Sequence, residues 1–309
     1  MINSPKNLKI LSWNCNSITN KYLEFTDFIK EKNPDIIALQ ETRLKPSLSL
    51  NIPNFTTHRT DRGTYAGGGT AILVRNSLPH HATPLQTSNI EGTAITLERR
   101  NNQSITIASV YKPPRKPLNQ SELHQLIRNR RDVLVVGDLN AKHRTWNPDG
   151  ANRPGMILYN FAQSNNLKIC APQQPTRISH RTNNSIIDLC ISKGFDNIQS
   201  ESIPALSSDH NPVIFTVHID DLQKNSNNFF QFTNWNTFQS HLQHLLPGNP
   251  KKFSKKEIDQ AIVNFNTQYN SAINSASKTK IIQDRAYTIP PPLRRKIQLK
   301  NVRPENHNN

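Results

Sequence analysis

The stretch VLVVGDLNAKH, residues 133–143, runs four apolar residues into a glycine and then sets Asp138, Asn140 and His143 within six positions. The apolar run predicts a buried strand. Its polar tip predicts that the C-terminal end of that strand opens on a cleft, where a rigid element can hold side chains against a ligand. Gly137 is expected to let the backbone turn there, and Asp138 and Asn140, two apart, face the same side of an extended chain. Alone the pattern is weak, because Asp and Asn also begin ordinary turns.

The same construction recurs along the chain. LKILSWNCNS ends a strand in Asn14 and Asn16, PDIIALQET ends another in Gln40 and Glu41, and ITIASVYKPP ends a third at Tyr111 with Lys112 behind it. SIIDLCI buries an acid, Asp188, inside an apolar run, and ALSSDHNPVIF sets Ser208, Asp209 and His210 before the last strand of the region. A carboxylate left unpaired among apolar residues is strongly destabilising. These groups are therefore expected to converge and satisfy one another.

Outward from these tips, short β-branched runs predict strands at 8–13, 35–40, 69–74, 93–98, 104–110, 132–137, 186–191 and 212–218, with helices near 20–32, 119–128 and 153–165. So many strands with so few helices point to packed sheets flanked by helices, an α+β arrangement, and not to a doubly wound βαβ fold. After residue 219 the texture changes. Residues 220–233 read as a polar linker and 234–309 as a basic helical extension. There Trp235, Phe238, Leu242, Leu245 and Leu246 share a face, SKKE (254–257) reads as a capping box, and Ile258, Ile262, Phe265, Tyr269, Ile273 and Ala276 continue a helix of about six turns.

The 309 residues carry 38 Lys and Arg against 22 Asp and Glu, a net +16, with a pI near 9.9 and a mean hydropathy of -0.66. Such an excess favours polyanionic partners, nucleic acid first. No window approaches the ~18 apolar residues of a membrane helix, so no membrane partner is expected. Cys15, Cys170 and Cys190 are far apart in apolar runs and read as reduced core thiols of an intracellular protein. His80, His81, His124, His241 and His244 show no ligand spacing and read as surface residues. GTYAGGGT lacks the Lys-Ser/Thr of a phosphate loop and reads as a flexible turn into a strand. HIDDL (218–222) resembles the paired aspartates of a reverse transcriptase but has no polymerase palm around it, so any such module would lie beyond residue 309 of a longer parent.

At its polar strand ends the sequence resembles the endonuclease/exonuclease/phosphatase superfamily, metal-dependent phosphodiesterases related to DNase I and the abasic-site endonucleases. WN, QET, SVY, GDLN, SIIDL and SDHNPV arrive in the family's order across 8–218. GGGTAILVR (67–75), PTR (175–177) and the tail beginning TNWNTFQSHL resemble the jockey-type branch of non-LTR retrotransposons, in which the endonuclease precedes a reverse transcriptase. The resemblance implies a four-layer sandwich of two packed, mostly antiparallel sheets flanked by helices over residues 1–219.

It also implies roles. Glu41 would be the main Mg²⁺ ligand (Mn²⁺ as the alternative ion), with Asn14 beside it and Asn16 and Asp209 nearby. Tyr111 would hydrogen-bond a phosphate oxygen, Asp138 would prepare the attacking water, Asn140 would hold the phosphate, and Asp188 would orient His210. Thr176 and Ser208 would contact phosphate or support the site. Lys112, Arg115, Lys142 and Arg144, with Lys116 and His143, would line the cleft rim against DNA. The implied activity is nicking of DNA to leave a 3′ hydroxyl, in the nucleus if chromosomal DNA is the substrate. The competing readings are a phosphoinositide or other phosphoester hydrolase of the same fold, and a silent nucleic-acid-binding remnant. Loops 58–68, 142–155 and 178–185 would set specificity.

Overall fold

The computed structural model describes residues 7–63, 67–99, 103–179, 183–219, 229–245, 254–281 and 291–300. Its first elements are β1 (Asn7–Asn14), α1 (Tyr22–Lys32), β2 (Ile36–Gln40), β3 (Phe55–Thr60), β4 (Thr70–Arg75), β5 (His80–Thr83), β6 (Glu91–Glu98) and β7 (Ser104–Tyr111). They are followed by α2 (Gln120–Ile127), β8 (Asp132–Asp138), α3 (Arg153–Ser164), β9 (Lys168–Cys170), β10 (Asp188–Lys193), β11 (Ile198–Ser202) and β12 (Val213–His218). Two six-stranded sheets result, in the orders β11-β12-β1-β2-β4-β3 and β5-β6-β7-β8-β10-β9.

Neighbouring strands run antiparallel except β1–β2 and β7–β8. Each parallel pair is bridged by a helix, α1 in one sheet and α2 in the other, because a parallel return needs a crossover long enough to span the strand. The period of two along each strand then sorts the core into layers. Leu8, Ile10, Ile36, Ala38, Ile107, Leu134, Val136 and Cys190 meet between the sheets. Leu11, Trp13, Ile37 and Leu39 face outward onto Phe25, Phe28 and Ile29 of α1, and Val133, Val135, Leu189 and Ile191 face outward onto α2 and α3. This is the four-layer α+β sandwich.

Cys170 and Cys190, distant in sequence, are register partners across β9 and β10, both as free thiols. Gly137 does not turn the chain. It lies inside β8 with φ 143°, paired to Leu189 on one side and Val110 on the other, and a Cβ there would stand 2.0 Å from the Val110 carbonyl oxygen. Close approach of β7 to β8 is what demands the glycine.

The chain divides into two compact units, Met1–Asn225 with Ala286–Asn309, and Ser226–Arg285. The second unit contains β13 (Phe229–Thr233), α4 (Trp235–Leu245), α5 (Lys255–Ala276) and β14 (Ser277–Ile281); α6 (Pro291–Lys300) follows in sequence. Residues 229–233 of the expected linker are thus a strand, paired antiparallel with β14; 220–228 lie outside the described residues. The capping box at Ser254 and Glu257 is present. Phe238 packs edge-on against Tyr269 with centroids 5.4 Å apart, joining α4 to α5. Among the described residues no helix is long and apolar enough to cross a membrane.

Substituting Gly137→Ala is expected to lower stability by more than about 2 kcal/mol, since the strained backbone and the Val110 carbonyl both oppose a Cβ. A fall in the urea midpoint at unchanged slope checks this; an unaltered midpoint would show that β7 can give way.

Candidate active site

The apolar layer between the sheets ends, on one side, in polar side chains of the same parity. On β1 the inward series Leu8, Ile10 continues as Ser12, Asn14; on β2 Ile36, Ala38 continues as Gln40; on β8 Leu134, Val136 continues as Asp138. Tyr111 and Asp138 are register partners, as are Asp138 and Asp188, and Asn14 and Gln40. Five strands from two sheets therefore bring their polar residues to one end.

Side-chain hydrogen bonds close the gap. The Asn14 amide donates to Glu41 Oε1 at 3.1 Å and to Asp138 Oδ2 at 2.9 Å. Gln40 Nε2 donates to Ser109 Oγ at 3.0 Å from the opposite sheet. Asn140 donates to Asp138 through both its backbone N–H (2.9 Å) and its side-chain amide (3.3 Å), a contact made by a left-handed backbone at Asn140, φ 46°, and not by the extended chain expected there. Asp188, fully buried, receives His210 Nδ1 at 2.8 Å on Oδ2, and the other ring nitrogen lies 3.8 Å from Asp138 Oδ2. Among the described residues Asp188 Oδ1 has no hydrogen-bond partner.

Glu41 stands just past β2 and reaches the cleft through a left-handed backbone, φ 49°. The triplet Gly67–Gly69, read as a flexible turn, instead clamps this corner: Thr42 N–H donates to the Gly69 carbonyl (3.1 Å) and Arg43 N–H to that of Gly68 (2.9 Å). A Cβ on Gly69 would come within 2.7 Å of Thr42 Oγ1. Glu91 anchors the triplet in turn, accepting from Gly69 N–H at 2.7 Å and pairing with Arg62. Arg43, two residues beyond Glu41 and overlooked in the sequence although QETR displays it, donates to Glu41 Oε2 at 3.1 Å. Burial, then the Glu41 and Asp138 charges, push the Tyr111 phenol well above the usual range.

Other expected site residues take different positions. Thr176 Oγ1 accepts the backbone N–H of Ile187 and Asp188 (3.1 and 3.2 Å), and Ser208 Oγ donates to the Asn14 carbonyl (2.8 Å) while accepting His210 N–H (3.2 Å). Both spend their hydroxyls fixing the backbone of neighbours. Asp209 pairs with Arg177 at 3.2 Å and accepts from Asn16 Nδ2 at 3.5 Å; burial opposes its charge, but His210 and Arg177 hold its carboxyl below the usual value. Lys112, expected at the rim, is 1% exposed with its ammonium on the Pro114 carbonyl at 3.3 Å. Arg115, Lys116 and Arg144 are exposed and Lys142 and His143 half-buried. Asn152 ties this second group to α3, capping Gly155 N–H while accepting Lys142 N–H and donating to the Asn140 carbonyl, each at 2.9 Å.

Burial pushes the Asp138 carboxyl up to about 7, against the pull of the His210 charge. Burial works in the opposite sense on His210, yet Asp188, then Asp138, more than offset it and raise the imidazole to about 9. Asp138, Asp188 and His210 each bring one ligand atom within 4.8 Å of the others. A ring flanked by carboxylates and held as a cation does not suit a metal, whose imidazole ligands must be neutral. A hard divalent cation is better matched by the oxygens of Glu41 and Asp138, carboxylates from opposite sheets that accept from the same Asn14 Nδ2, with the Asn14 amide oxygen, which accepts from Asn16 N–H at 3.2 Å, as a further donor of the right type.

In EDTA, the Cε1–H resonance of His210 is expected to titrate near pH 9 and to fall when Asp188 is changed to Asn. Because the folded value exceeds the ordinary 6.5, the pair's contribution to stability is complete below about 6.5 and is lost as pH rises through about 9. A midpoint at or below 6.5 would contradict the ion pair.

The family described as endonuclease-reverse transcriptase matches residues 105–214. The probable RNA-directed DNA polymerase from transposon X-element of Drosophila melanogaster is 29% identical over 295 residues, 92% of this chain and 32% of that protein. The RNA-directed DNA polymerase from mobile element jockey of the same species is 25% identical over 280 residues, 87% of this chain and 30% of that protein. The chain thus spans about a third of the length of these relatives. Among solved structures, the endonuclease domain of TRAS1, a telomere-specific non-LTR retrotransposon, superposes with a TM-score of 0.58 at 20% identity over 70% of this chain and all of that one. The AP endonuclease LMAP from Leishmania major gives 0.56 at 16% identity over 69% of this chain and 88% of that one; both share the fold. In fold and in the order of its strand-end residues, this chain resembles the endonuclease/exonuclease/phosphatase superfamily, and within it the endonuclease region of non-LTR retrotransposons.

Proposed function

We propose that the chain is a Mg²⁺-dependent DNA endonuclease that hydrolyses one phosphodiester and leaves a 3′ hydroxyl. The observation that carries this reading is the meeting of Glu41, Asn14 and Asp138 beside the Asp188–His210 pair. Glu41 and Asn14, with Asn16 at the margin, would hold the ion. Bound there, Mg²⁺ (or Mn²⁺) would supply positive charge against the phosphate and favour the carboxylate form of Asp138.

Asp138 accepts a proton from water as the water oxygen bonds to phosphorus and the bond to the 3′ oxygen breaks, and the departing 3′ alkoxide takes a proton from solvent water, giving a 5′ phosphate and a 3′ hydroxyl. A base poised near the working pH suits that step, and Asp138 at about 7 meets it. His210, held as a cation, is a poor base and a good donor to a phosphate oxygen, as is the Tyr111 hydroxyl; the Asn140 amide, which donates to the Lys112 carbonyl and to Asp138, would hold the phosphate by giving up one of these bonds. Asp188 positions the imidazole, and Thr176 and Ser208 position Asp188 and His210. The Arg177–Asp209 pair makes Asp209 a positioning residue more than an ion ligand. Exposed Arg115 and Arg144, with Lys142, offer the cations that phosphate binding needs, in keeping with the net +16. In a longer polypeptide with a reverse transcriptase, the 3′ hydroxyl would serve as primer, and the work would be done in the nucleus.

With Mg²⁺ the protein is expected to nick supercoiled plasmid, and a DNA polymerase should extend the nick without prior end treatment. EDTA should stop the reaction, and Glu41→Ala, Asp138→Ala and His210→Ala should each slow it by at least about 100-fold. Unchanged nicking by all three variants would refute the assignment, and a headgroup substrate cleaved in place of plasmid would transfer it to a phosphoester hydrolase.

A further inference from the structure

A second cluster lies outside this site and owes nothing to it. His58 sits in β3 and His80 opens β5, strands that form the edges of different sheets on the flank where β3 and β4 pack on β6. Their rings meet at 90° with centroids 5.2 Å apart, and Nε2 lies 3.1 Å from Nε2. Both residues are half-buried. The pair is 22 residues apart and gave no ligand spacing; His80 was expected to be an ordinary surface residue.

The protonation pattern follows from the neighbours. His80 Nδ1 lies 2.7 Å from the Leu78 carbonyl oxygen, and a carbonyl only accepts, so Nδ1 carries the proton. Two N–H groups cannot face each other at 3.1 Å, so at least one of the facing Nε2 atoms presents a lone pair, and the neutral His80 tautomer presents its own. Burial, with His80 beside it, holds His58 below the ordinary imidazole value and favours the neutral ring that a metal ligand must be. Either His58 donates to His80, or both lone pairs serve one cation. Zinc–imidazole bonds of about 2.0–2.1 Å at a tetrahedral angle place two nitrogens about 3.3 Å apart, close to the separation present. Metal-bound histidines also commonly donate their second N–H to a carbonyl, as His80 does to Leu78.

We propose that His58 and His80 form a two-histidine site for a borderline divalent transition-metal ion of the Zn²⁺ type, and that the bound ion ties the edge of one sheet to the edge of the other. Among the described residues no third Cys, Asp, Glu or His joins the pair, so water completes the coordination. Imidazole donors separate this site chemically from the oxygen donors around Glu41.

The test is a ZnCl₂ titration of the whole, EDTA-treated, ¹⁵N-labelled chain, followed by histidine-ring NMR and by thermal unfolding. The Nε2 resonances of His58 and His80 are expected to move together to a one-to-one endpoint, and the unfolding midpoint should rise. His58→Gln and His80→Gln should each weaken Zn²⁺ binding by more than about tenfold, the least that loss of even an outer-shell partner causes, and should abolish the rise. Zn²⁺ that leaves both rings unshifted, or shifts only His210, would overturn the proposal on the wild-type chain alone. An equal rise in the midpoint of both variants would do the same.

Discussion

The Asp188–His210 pair is the constraint on which the polar end of this sandwich depends. A carboxylate with no exposure and one oxygen on the imidazole is tolerated only if the imidazole is charged. Removing one partner of such a pair costs about 3–5 kcal/mol, because it strands a buried charge. The pair also spans the sheets: Asp188 begins β10 in one, and His210 stands three residues before β12 in the other. Asn14 to Asp138 and Gln40 to Ser109 make the same crossing. The two sheets are therefore held apart by hydrocarbon through most of their depth and pinned by hydrogen bonds at one end.

Strand parity does the assembly. Because inward positions recur every second residue, a strand that is apolar at its first inward positions and polar at its last delivers one functional group to a fixed place. Asn14, Gln40, Tyr111 and Asp138 reach the polar end that way, and Asp188 reaches it from the first position of β10, which runs antiparallel to β8. Glu41 breaks parity. It follows Gln40 directly and would face outward if the strand continued, but its left-handed backbone swings it back, and Asn16 and Asn140 have the same conformation, φ 44° and 46°. Three site residues in a sparsely populated region hold strain that their surroundings must impose. For Glu41 the imposing groups are the glycine triplet, anchored by Glu91, and the backbone of Ser17, whose N–H donates to the Glu41 carbonyl at 2.8 Å.

This division explains what the sequence made legible. The eight strands expected from apolar runs all exist, and they are interior strands whose faces must both be covered. The four missed strands of the sandwich, β3, β5, β9 and β11, are its four edges. FTTHRT, HHAT, KIC and IQSES are short or polar because an edge meets solvent and must discourage further pairing, so the hydrophobic signal is weakest where a sheet ends. The polar tips were readable for the same reason as the interior strands: an acid inside SIIDLCI has few comfortable explanations. Roles that depend on non-local approach were not readable. Gly137 looks like a turn until β7 lies against it, Lys112 looks like a rim cation until it folds back onto Pro114, and the His58–His80 contact joins two edges that the sequence did not announce.

The same burial that makes the cleft end costly also divides its labour. Desolvation penalises charge on either group, but Asp138 faces another carboxylate, Asp188, whereas His210 faces carboxylates on both sides. The acid is thereby driven up toward neutrality and the imidazole is driven above it, so near pH 7 one group can accept a proton while the other already holds one. Exchanging these roles would require removing Asp188 from the core. The N–H groups of Ile187 and Asp188 itself go to Thr176 Oγ1, not to the Asp188 carboxylate. A carboxylate buried at such expense, paired across the sheet boundary with His210, is accounted for by the charge it keeps on that imidazole.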